Sequence, residues 1–113
     1  MSGPLSGITI LDLTSVISGP LATAILADQG ARVIKVENPA GDSMRMGGAL
    51  NRGVSSLFTA LNRNKDSIVL DLQQESGISA IKSMVASVDI LIQNYRPGVM
   101  ERLGIGYSDL KAI

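Results

Sequence analysis

The chain has 113 residues, 45% of them apolar and 18% charged, which suits one soluble domain and leaves no room for two. Ten basic residues balance ten acidic ones, a composition unlike that of a strongly basic nucleic-acid binder or an acidic tail. Histidine and cysteine are absent, which excludes histidine acid–base chemistry, cysteine nucleophiles, disulfides and the usual zinc sites within these residues. No cluster of acidic residues suggests a metal bound by oxygen ligands.

The amino-terminal sequence carries no sign of export or of membrane insertion. The first basic residue is Arg32, so the start lacks the charged segment of a secretory signal. The longest uncharged stretch, 13–27, is interrupted by Ser-Gly-Pro and is too short and too broken for a membrane span. We therefore expect a soluble protein, cytoplasmic or matrix-type, that engages neither membranes nor nucleic acids.

The first predicted unit is a strand, a helix and a second strand. The apolar, β-branched run 8–13 indicates a buried strand, and Pro20 predicts the start of a helix capped by Ser18 or Gly19. The apolar residues that fall on one face of this helix are Leu21, Ala22, Ile25 and Leu26. A second strand over 32–36 follows, and the short connections favour a parallel, right-handed unit.

The remaining chain continues the alternation of strands and helices. Residues 40–56 have no clean period and are typical of an ordered but irregular loop, either a functional loop or a lid, with disorder as the alternative. The elements expected after it are a short helix over 55–61, a strand over 67–72, a helix over 75–86, a strand over 88–92, a loop over 94–98, a brief helix over 99–103 and a helix capped by Ser108. The pattern predicts an α/β domain with a mostly parallel sheet. Because the last helix stops in its first turn, we expect the front part of a longer protein.

Ligands of open α/β sheets bind beyond the carboxyl ends of the strands. The helix start at Gly19-Pro20 offers backbone amides to an anion, although capping alone also explains it. The loop lacks the glycine pattern of dinucleotide sites, and no Gly-Lys-Ser/Thr occurs, which disfavours NAD, FAD and Walker-type phosphate binding. Glu37 imitates the ribose-binding acid of such sites, but without the glycines we expect it to be a solvated strand terminus.

Several charged residues lie near the predicted strand ends. Cations in 62–65, with Arg96 and Arg102, suit a phosphate-rich ligand, although isolated Arg and Lys are more often solvated. Asp12 and Asp71 lie inside apolar runs, where they either hold a loop backbone, the commoner case, or take part in chemistry. No nucleophile–base pair can be assembled from these residues.

Longer motifs resemble the family III CoA-transferases, which include formyl-CoA transferase, carnitine CoA-transferase and α-methylacyl-CoA racemase. The matching segments are PLSGITILDLT (4–14), Gly19-Pro20, LADQGARVIKVE (26–37), NKDSIVLDL (64–72) and DILIQNYRPGVMERLG (89–104). The resemblance covers essentially the whole chain in order, so it is specific for the family. It does not distinguish the members.

The resemblance implies that residues 1–113 are the N-terminal part of the Rossmann-like large domain of an interlocked homodimer. Such enzymes bind CoA across the strand ends, and the transferases pass the acyl group through an aspartate that forms a mixed anhydride. That aspartate, like the acid–base residues of the racemase, is expected beyond Ile113. The substrates implied are an acyl-CoA and a carboxylic acid acceptor, with no metal.

The resemblance also assigns CoA contacts by position. These are Ile17, Ser18, Asn38, Leu70, Asp71, Leu72, Gln73, Asn94, Tyr95, Arg96 and Arg102. Some transferases have Arg where this chain has Asn38, and Lys where it has Gln73. These two departures weaken phosphate contact there, and Arg45, Arg63 and Lys65 are candidates to compensate.

Three functions therefore remain open. The first is the CoA-binding portion of an acyl-CoA transferase that moves CoA between carboxylic acids. The second is the same portion of a racemase. The third is a truncated, non-catalytic CoA- or nucleotide-binding module or a non-binding remnant.

Overall fold

The computed structural model describes residues 2–113. The strands are β1 (Thr9–Asp12), β2 (Arg32–Glu37), β3 (Leu50–Asn51), β4 (Val54–Ser55), β5 (Lys65–Val69) and β6 (Ile90–Ile92). The α-helices are α1 (Ser18–Asp28), α2 (Ser56–Leu61), α3 (Glu75–Val85), α4 (Val99–Arg102) and α5 (Tyr107–Leu110). No helix within this part of the chain is long and apolar enough to cross a membrane.

The main sheet has the strand order β5-β2-β1-β6, and every neighbouring pair is parallel. β1 therefore lies between β2 and β6. The chain first adds β2 and β5 on one side of β1 and later adds β6 on the other side. This order is that of one half of a doubly wound Rossmann-like sheet. The predicted α/β class with a mostly parallel sheet is confirmed, and all four carboxyl ends meet at one edge.

Alternating strand residues build a core on each face of the sheet. On one face Leu11 and Leu13 pack in a cluster with Ile81 of α3 and Met100 of α4. On the other face Ile10 and Val33 are buried in a smaller cluster that includes Ala27 of α1. Covering both faces is what a parallel sheet requires.

The buried face of α1 coincides only in part with the apolar face that the sequence indicates, since Leu26 alone of the four residues predicted for that face packs against the smaller core cluster. The buried residues are Pro20, Thr23, Ala24 and Ala27, whereas Leu21 and Ile25 are 42% and 44% exposed. At its start the helix approaches the loop after β1 closely. A Cβ at Gly19 would lie only 2.4 Å from the Thr14 Cβ, so there is no room for a side chain at this position.

The start of α1 also differs from the prediction. The helix begins at Ser18, and Ile17 occupies the N-cap position without a capping side chain. Neither Ser18 nor Gly19 is therefore the cap. The last helix likewise begins after Gly106 rather than after Ser108, and Asp109 Oδ2 accepts from the Gly106 N–H at 3.0 Å.

The third strand of the main sheet is shifted towards the N-terminus relative to the predicted 67–72. β5 begins at Lys65, immediately after Asn64, which adopts a positive φ of 62°. Lys65 is tolerated there because its ammonium lies 3.0 Å from the buried Asp12 carboxylate. Residues 70–74 then form the connection to α3, at the carboxyl edge of the sheet.

The stretch 40–56, expected to be an ordered but irregular loop, contains short regular elements. Asp42 caps a 3-10 turn, Ser43–Met46, by accepting from the Met44 N–H at 3.0 Å. β3 and β4 then form an antiparallel hairpin. Ser55 Oγ accepts from the Phe58 N–H at 3.1 Å and so caps α2.

Candidate functional site

Two adjoining depressions lie at the carboxyl edge of the sheet, and we call them together the strand-end cleft. The larger part has a volume of about 150 Å³ and the smaller about 60 Å³. The larger part is lined by Val36, Glu37, Asn38, Leu70, Asp71, Leu72, Gln73, Tyr95, Val99 and Leu103. The smaller part shares Asn38 and Tyr95 and extends to Thr14, Ser15, Lys35 and Asp42.

More than half of the residues to which the family resemblance assigns CoA contact line this cleft. They are Asn38, Leu70, Asp71, Leu72, Gln73 and Tyr95. The topology explains this, because the connections after β2, β5 and β6 all leave the same edge of the sheet. The other assigned residues, which do not line the cleft, are Ile17, Ser18, Asn94, Arg96 and Arg102.

Asn94 connects the loop after β6 to the loop after β1. Its Oδ1 accepts from the Ser15 N–H at 3.1 Å, and its Nδ2 donates to the Ser15 carbonyl at 2.9 Å. Ile17 and Ser18 lie shortly after Ser15 in the chain and are exposed at the start of α1. The Asn94 side chain thus ties together the two loops that carry most of the remaining assigned residues.

The connection after β5 is held by a carboxylate and by a close helix contact. Asp71 Oδ1 accepts from the Gln73 N–H at 3.0 Å. Gly77 of α3 packs against the same segment, and a Cβ there would lie 2.0 Å from the Asp71 carbonyl oxygen. Asp71 therefore holds the loop backbone, the commoner of the two roles considered for it.

Tyr95 forms an aromatic wall shared by both parts of the cleft. Its backbone N–H donates to Gln93 Oε1 at 2.8 Å. Burial raises the pKa of the Tyr95 hydroxyl above its ordinary value, so the phenol stays neutral at physiological pH. It is therefore suited to pack against an apolar arm and to donate one hydrogen bond.

The two assigned arginines remain available for an anion. Arg96 and Arg102 are exposed, and neither forms an ion pair with any residue in 2–113. A Cβ built at Gly98 would lie 3.1 Å from Arg102 Nη1, so this guanidinium folds back over the loop after β6. Both cations are thus close to the loop that carries Tyr95.

The cations considered as compensation are already engaged with carboxylates. Arg45 binds Glu37 through two hydrogen bonds of 2.8 and 2.6 Å, and Arg63 Nη2 donates to Asp28 Oδ2 at 2.6 Å. Lys65 is buried beside Asp12, and desolvation by burial lowers its pKa, although Asp12 acts in the opposite direction. The structure therefore does not bring these three cations to the cleft as free charges.

Glu37 is not the solvated strand terminus that the sequence suggested. It is only 5% exposed, and it accepts hydrogen bonds from Arg45, from the Ser67 hydroxyl at 2.6 Å and from the Asp42 N–H at 2.8 Å. These bonds, led by Arg45, hold the pKa of Glu37 down at about 2. The carboxylate is ionised and fixed in the wall of the cleft.

Sequence reasoning missed a buried charge network beneath the loop that follows β1. Lys35 Nζ donates to Asp42 Oδ2 at 2.9 Å and to the Thr14 carbonyl at 3.1 Å. Asp12 accepts from the Thr14 N–H at 2.8 Å and from Thr23 Oγ1 at 2.7 Å. The available signal was the presence of Asp12 and Lys35 inside apolar strands, since a charge in a buried strand needs a partner.

A larger depression, of about 390 Å³, lies elsewhere. It runs beside β6 and is lined mainly by apolar side chains of α3, α4 and α5, and it contains none of the assigned residues. We place the candidate site at the strand-end cleft instead, because polar groups from several loops converge there. No group of acidic residues in 2–113 is arranged to hold a metal ion.

The chain is similar to curated acyl-CoA transferases over nearly its whole length. It is 46% identical over 112 residues to acetyl-CoA:oxalate CoA-transferase of Acetobacter aceti, a match covering 98% of this chain and 29% of that protein. It is 45% identical over 112 residues to succinyl-CoA:glutarate CoA-transferase of Homo sapiens, covering 97% and 26%.

Solved structures agree with these matches. The crystal structure of a CAIB/BAIF family protein from Brucella suis superposes with a TM-score of 0.91 at 36% identity, covering 99% of this chain and 31% of that one. A short chain dehydrogenase/reductase family protein, at a TM-score of 0.52 and 21% identity over 80% of this chain and 34% of that one, shows the shared fold alone. The chain spans 26% to 31% of the length of the two curated transferases and of the CAIB/BAIF family protein. A model of CoA-transferase family III matches residues 5–113, and the chain therefore belongs to this family.

Proposed function

We propose that residues 1–113 are the N-terminal part of the large domain of an acyl-CoA transferase and supply CoA-binding strand ends. The single observation that carries this proposal is the gathering of six assigned CoA-contact residues in the strand-end cleft. The quoted relatives are named for CoA transfer to oxalate and to glutarate, both carboxylic acids. The reaction proposed here is accordingly transfer of CoA between carboxylic acids.

The chemistry of the cleft suits the parts of CoA. Leu70, Leu72 and Tyr95 offer apolar surface to the pantetheine arm, and the loop backbone offers hydrogen bonds to its amides. Arg96 and Arg102 supply positive charge for the phosphates through charge-assisted hydrogen bonds. Asn38 and Gln73 provide polar contacts without charge where some transferases have cations.

Acyl transfer itself is proposed to depend on an aspartate outside these residues. Asp12 is buried against Lys65, Thr14 and Thr23, and Asp42 against Lys35. Neither is free to take an acyl group. We expect the 113-residue chain alone to show no turnover of an acyl-CoA with a carboxylate acceptor.

The wider setting is proposed on the same basis. In the longer enzyme we propose a cytoplasmic, interlocked homodimer. The racemase alternative has no support from the relatives quoted, which carry transferase names. The alternative of a non-binding remnant is decided by whether this chain binds CoA.

The test is isothermal titration of the chain with coenzyme A, using its two tyrosines as a matched pair. Tyr95 lines the cleft, whereas Tyr107 is 78% exposed and lies outside it. We expect Tyr95→Ala to weaken CoA binding by about tenfold, roughly 1.4 kcal/mol, because the aromatic wall is lost. Tyr107→Ala should leave the affinity unchanged.

Equal losses from both tyrosine substitutions would place CoA away from the cleft. Absence of binding by the unaltered chain, with its far-ultraviolet circular dichroism showing folded α/β structure, would favour the remnant.

A further inference from the structure

Val16 has a backbone conformation that its side chain disfavours. Its φ is +73°, in the left-handed region where a β-branched residue is a clear outlier. Packing of the side chain does not explain this, because Val16 is 40% exposed. The backbone N–H instead lies 3.3 and 3.4 Å from the two carboxylate oxygens of Asp42.

Asp42 is itself fixed in place by Lys35. The two side chains are each 1% exposed and form an ion pair of 2.9 Å. Lys35 also donates to the carbonyl of Thr14, two residues before Val16. The pair thus holds the loop at two points. The Lys35 ammonium binds the Thr14 carbonyl, and the Asp42 carboxylate binds the Val16 N–H.

The loop held by this pair borders the strand-end cleft and leads to Ile17 and Ser18, two of the residues assigned to CoA contact. Thr14, Ser15, Lys35 and Asp42 all line the smaller part of the cleft. The next residue after Val16 is Ile17, where α1 is about to begin. A change of φ at Val16 would therefore redirect the backbone that carries Ile17 and Ser18.

We propose that Lys35 and Asp42 are positioning residues that hold Val16 in the left-handed conformation and so set the loop after β1 for CoA. The inference rests on the proposed CoA function of the cleft. The pair acts through the loop backbone and makes no contact with CoA in this scheme. This loop conformation requires a strained backbone at Val16, and the two buried charges keep Val16 in that conformation.

The test is a rescue experiment in the 113-residue chain with coenzyme A as the probe. Asp42→Ala should weaken CoA binding by about tenfold, roughly 1.4 kcal/mol. Adding Val16→Gly should recover most of that loss, because glycine adopts positive φ without the Lys35–Asp42 pair, which we call the clamp. A merely structural role predicts no recovery, since Val16→Gly leaves Lys35 buried and unpaired. The matched control is Asp66→Ala, which removes an exposed aspartate paired with Arg32 and should not change the affinity.

A variant with both charges replaced, Lys35→Met with Asp42→Leu, covers the case in which Asp42→Ala does not fold. Apolar replacements of similar size leave no buried charge unpaired, yet they remove the clamp. CoA affinity should again fall and should again return with Val16→Gly. Affinity within about twofold of the unaltered chain, about 0.4 kcal/mol, or a loss that Val16→Gly does not repair, overturns the proposal.

Amide hydrogen exchange separates this proposal from the proposed function. Without CoA, Asp42→Ala should speed exchange of the Val16 N–H while the amides of β1 and β2 keep their protection. Unchanged exchange at Val16 overturns the clamp whether or not CoA binds. Failure of the unaltered chain to bind CoA, with the exchange response intact, overturns the CoA function and leaves the clamp as an organiser of the loop alone.

Discussion

Arg102 has two possible roles, contact with a phosphate of CoA or a solvated surface charge, and a single substitution distinguishes them. It ends α4, and its guanidinium lies over Gly98 in the loop that carries Tyr95. Arginine can give two parallel hydrogen bonds to a phosphate, which lysine does not reproduce. We expect Arg102→Ala to weaken CoA binding by about 1.5–3 kcal/mol, roughly ten- to a hundredfold. Titration of CoA at two salt concentrations measures this.

The matched control for Arg102 is Arg32→Ala. Arg32 begins β2, at the edge of the sheet opposite the cleft, and its exposed ion pair with Asp66 is worth little. Its removal should not alter CoA affinity. If Arg102→Ala also stays within about twofold at both salt concentrations, well under 1 kcal/mol, Arg102 is only a solvated helix residue.

Tertiary contacts explain which residues the sequence placed wrongly. Lys65 begins β5 as a buried cation because Asp12, far away in the chain, lies beside it, and no local window contains that pair. Hydrophobicity ranks Leu21 and Ile25 of α1 as core residues. The structure instead buries the smaller Thr23, Ala24 and Ala27, and the start of the helix leaves no room for a side chain at Gly19 beside Thr14.

At the scale of elements, the connection between β5 and α3 depends on the absence of a side chain at Gly77. A Cβ at this position would meet the backbone of Asp71, which cannot rotate aside as a side chain can. Helix propensity alone favours alanine over glycine by about 1 kcal/mol. We nevertheless expect Gly77→Ala to destabilise the chain by about 1–3 kcal/mol, because overpacking forces a backbone shift.

Urea unfolding of the unaltered chain and of the Gly77→Ala variant measures the change in the free energy of unfolding. Ser79→Ala, at an exposed position of the same helix, is the control and should stay within about 0.5 kcal/mol. CoA affinity should fall with Gly77→Ala as well, since the displaced backbone carries Asp71 and Gln73. A stabilised Gly77→Ala protein would show that helix propensity outweighs the contact.

The end of β2 makes stability sensitive to acid. The pKa of Glu37 falls from 4.5 to about 2 on folding, chiefly through its hydrogen bonds to Arg45. A depressed folded-state pKa stabilises the protein above the unfolded-state value, and this contribution is lost as the pH falls towards about 2. Between pH ~6 and ~3 the full shift is worth about 2 kcal/mol. Because solvent around the half-exposed Arg45 screens the pair, the chain should lose about 1–2 kcal/mol from this group.

Glu37→Gln isolates that contribution, because glutamine keeps the shape of the side chain but does not titrate. Urea unfolding at the two pH values should show a smaller loss for the variant than for the unaltered chain. The other carboxylates contribute equally to both proteins and cancel in the comparison. Parallel losses would mean that the pair between Glu37 and Arg45 does not set the acid limit.

The elements that the sequence predicted well are those whose sequence signal is local. β1, β2 and β6 read as apolar runs, and α3 has a regular apolar spacing, so the parallel sheet followed from the order of elements. The location of the cleft followed too, since parallel strands share one carboxyl edge. The clamp beneath the cleft did not, because Asp42 lies in an apparently irregular loop and meets Lys35 only through tertiary folding.

At the scale of the whole molecule, the exposed apolar side chains include residues of α1 and of both edge strands of the main sheet. Ile17, Leu21 and Ile25 form a stripe along α1 at a spacing of four residues. Val69 lies on edge strand β5 and Ile90 on edge strand β6, and both are exposed. Open sheet edges with apolar side chains invite pairing with another chain.

We therefore expect the chain to self-associate in a concentration-dependent manner, and the edge of β6 to contribute most, because the apolar depression of about 390 Å³ lies beside it. Light scattering after size exclusion, across a wide range of loading concentrations, measures the mass. Ile90→Lys places a charge on that edge and should shift the chain towards monomer. Ile25→Lys, on the α1 stripe, is the matched comparison and should shift it less. A monomer at every concentration contradicts the prediction, and a larger shift from Ile25→Lys would move the interface from the β6 edge to α1.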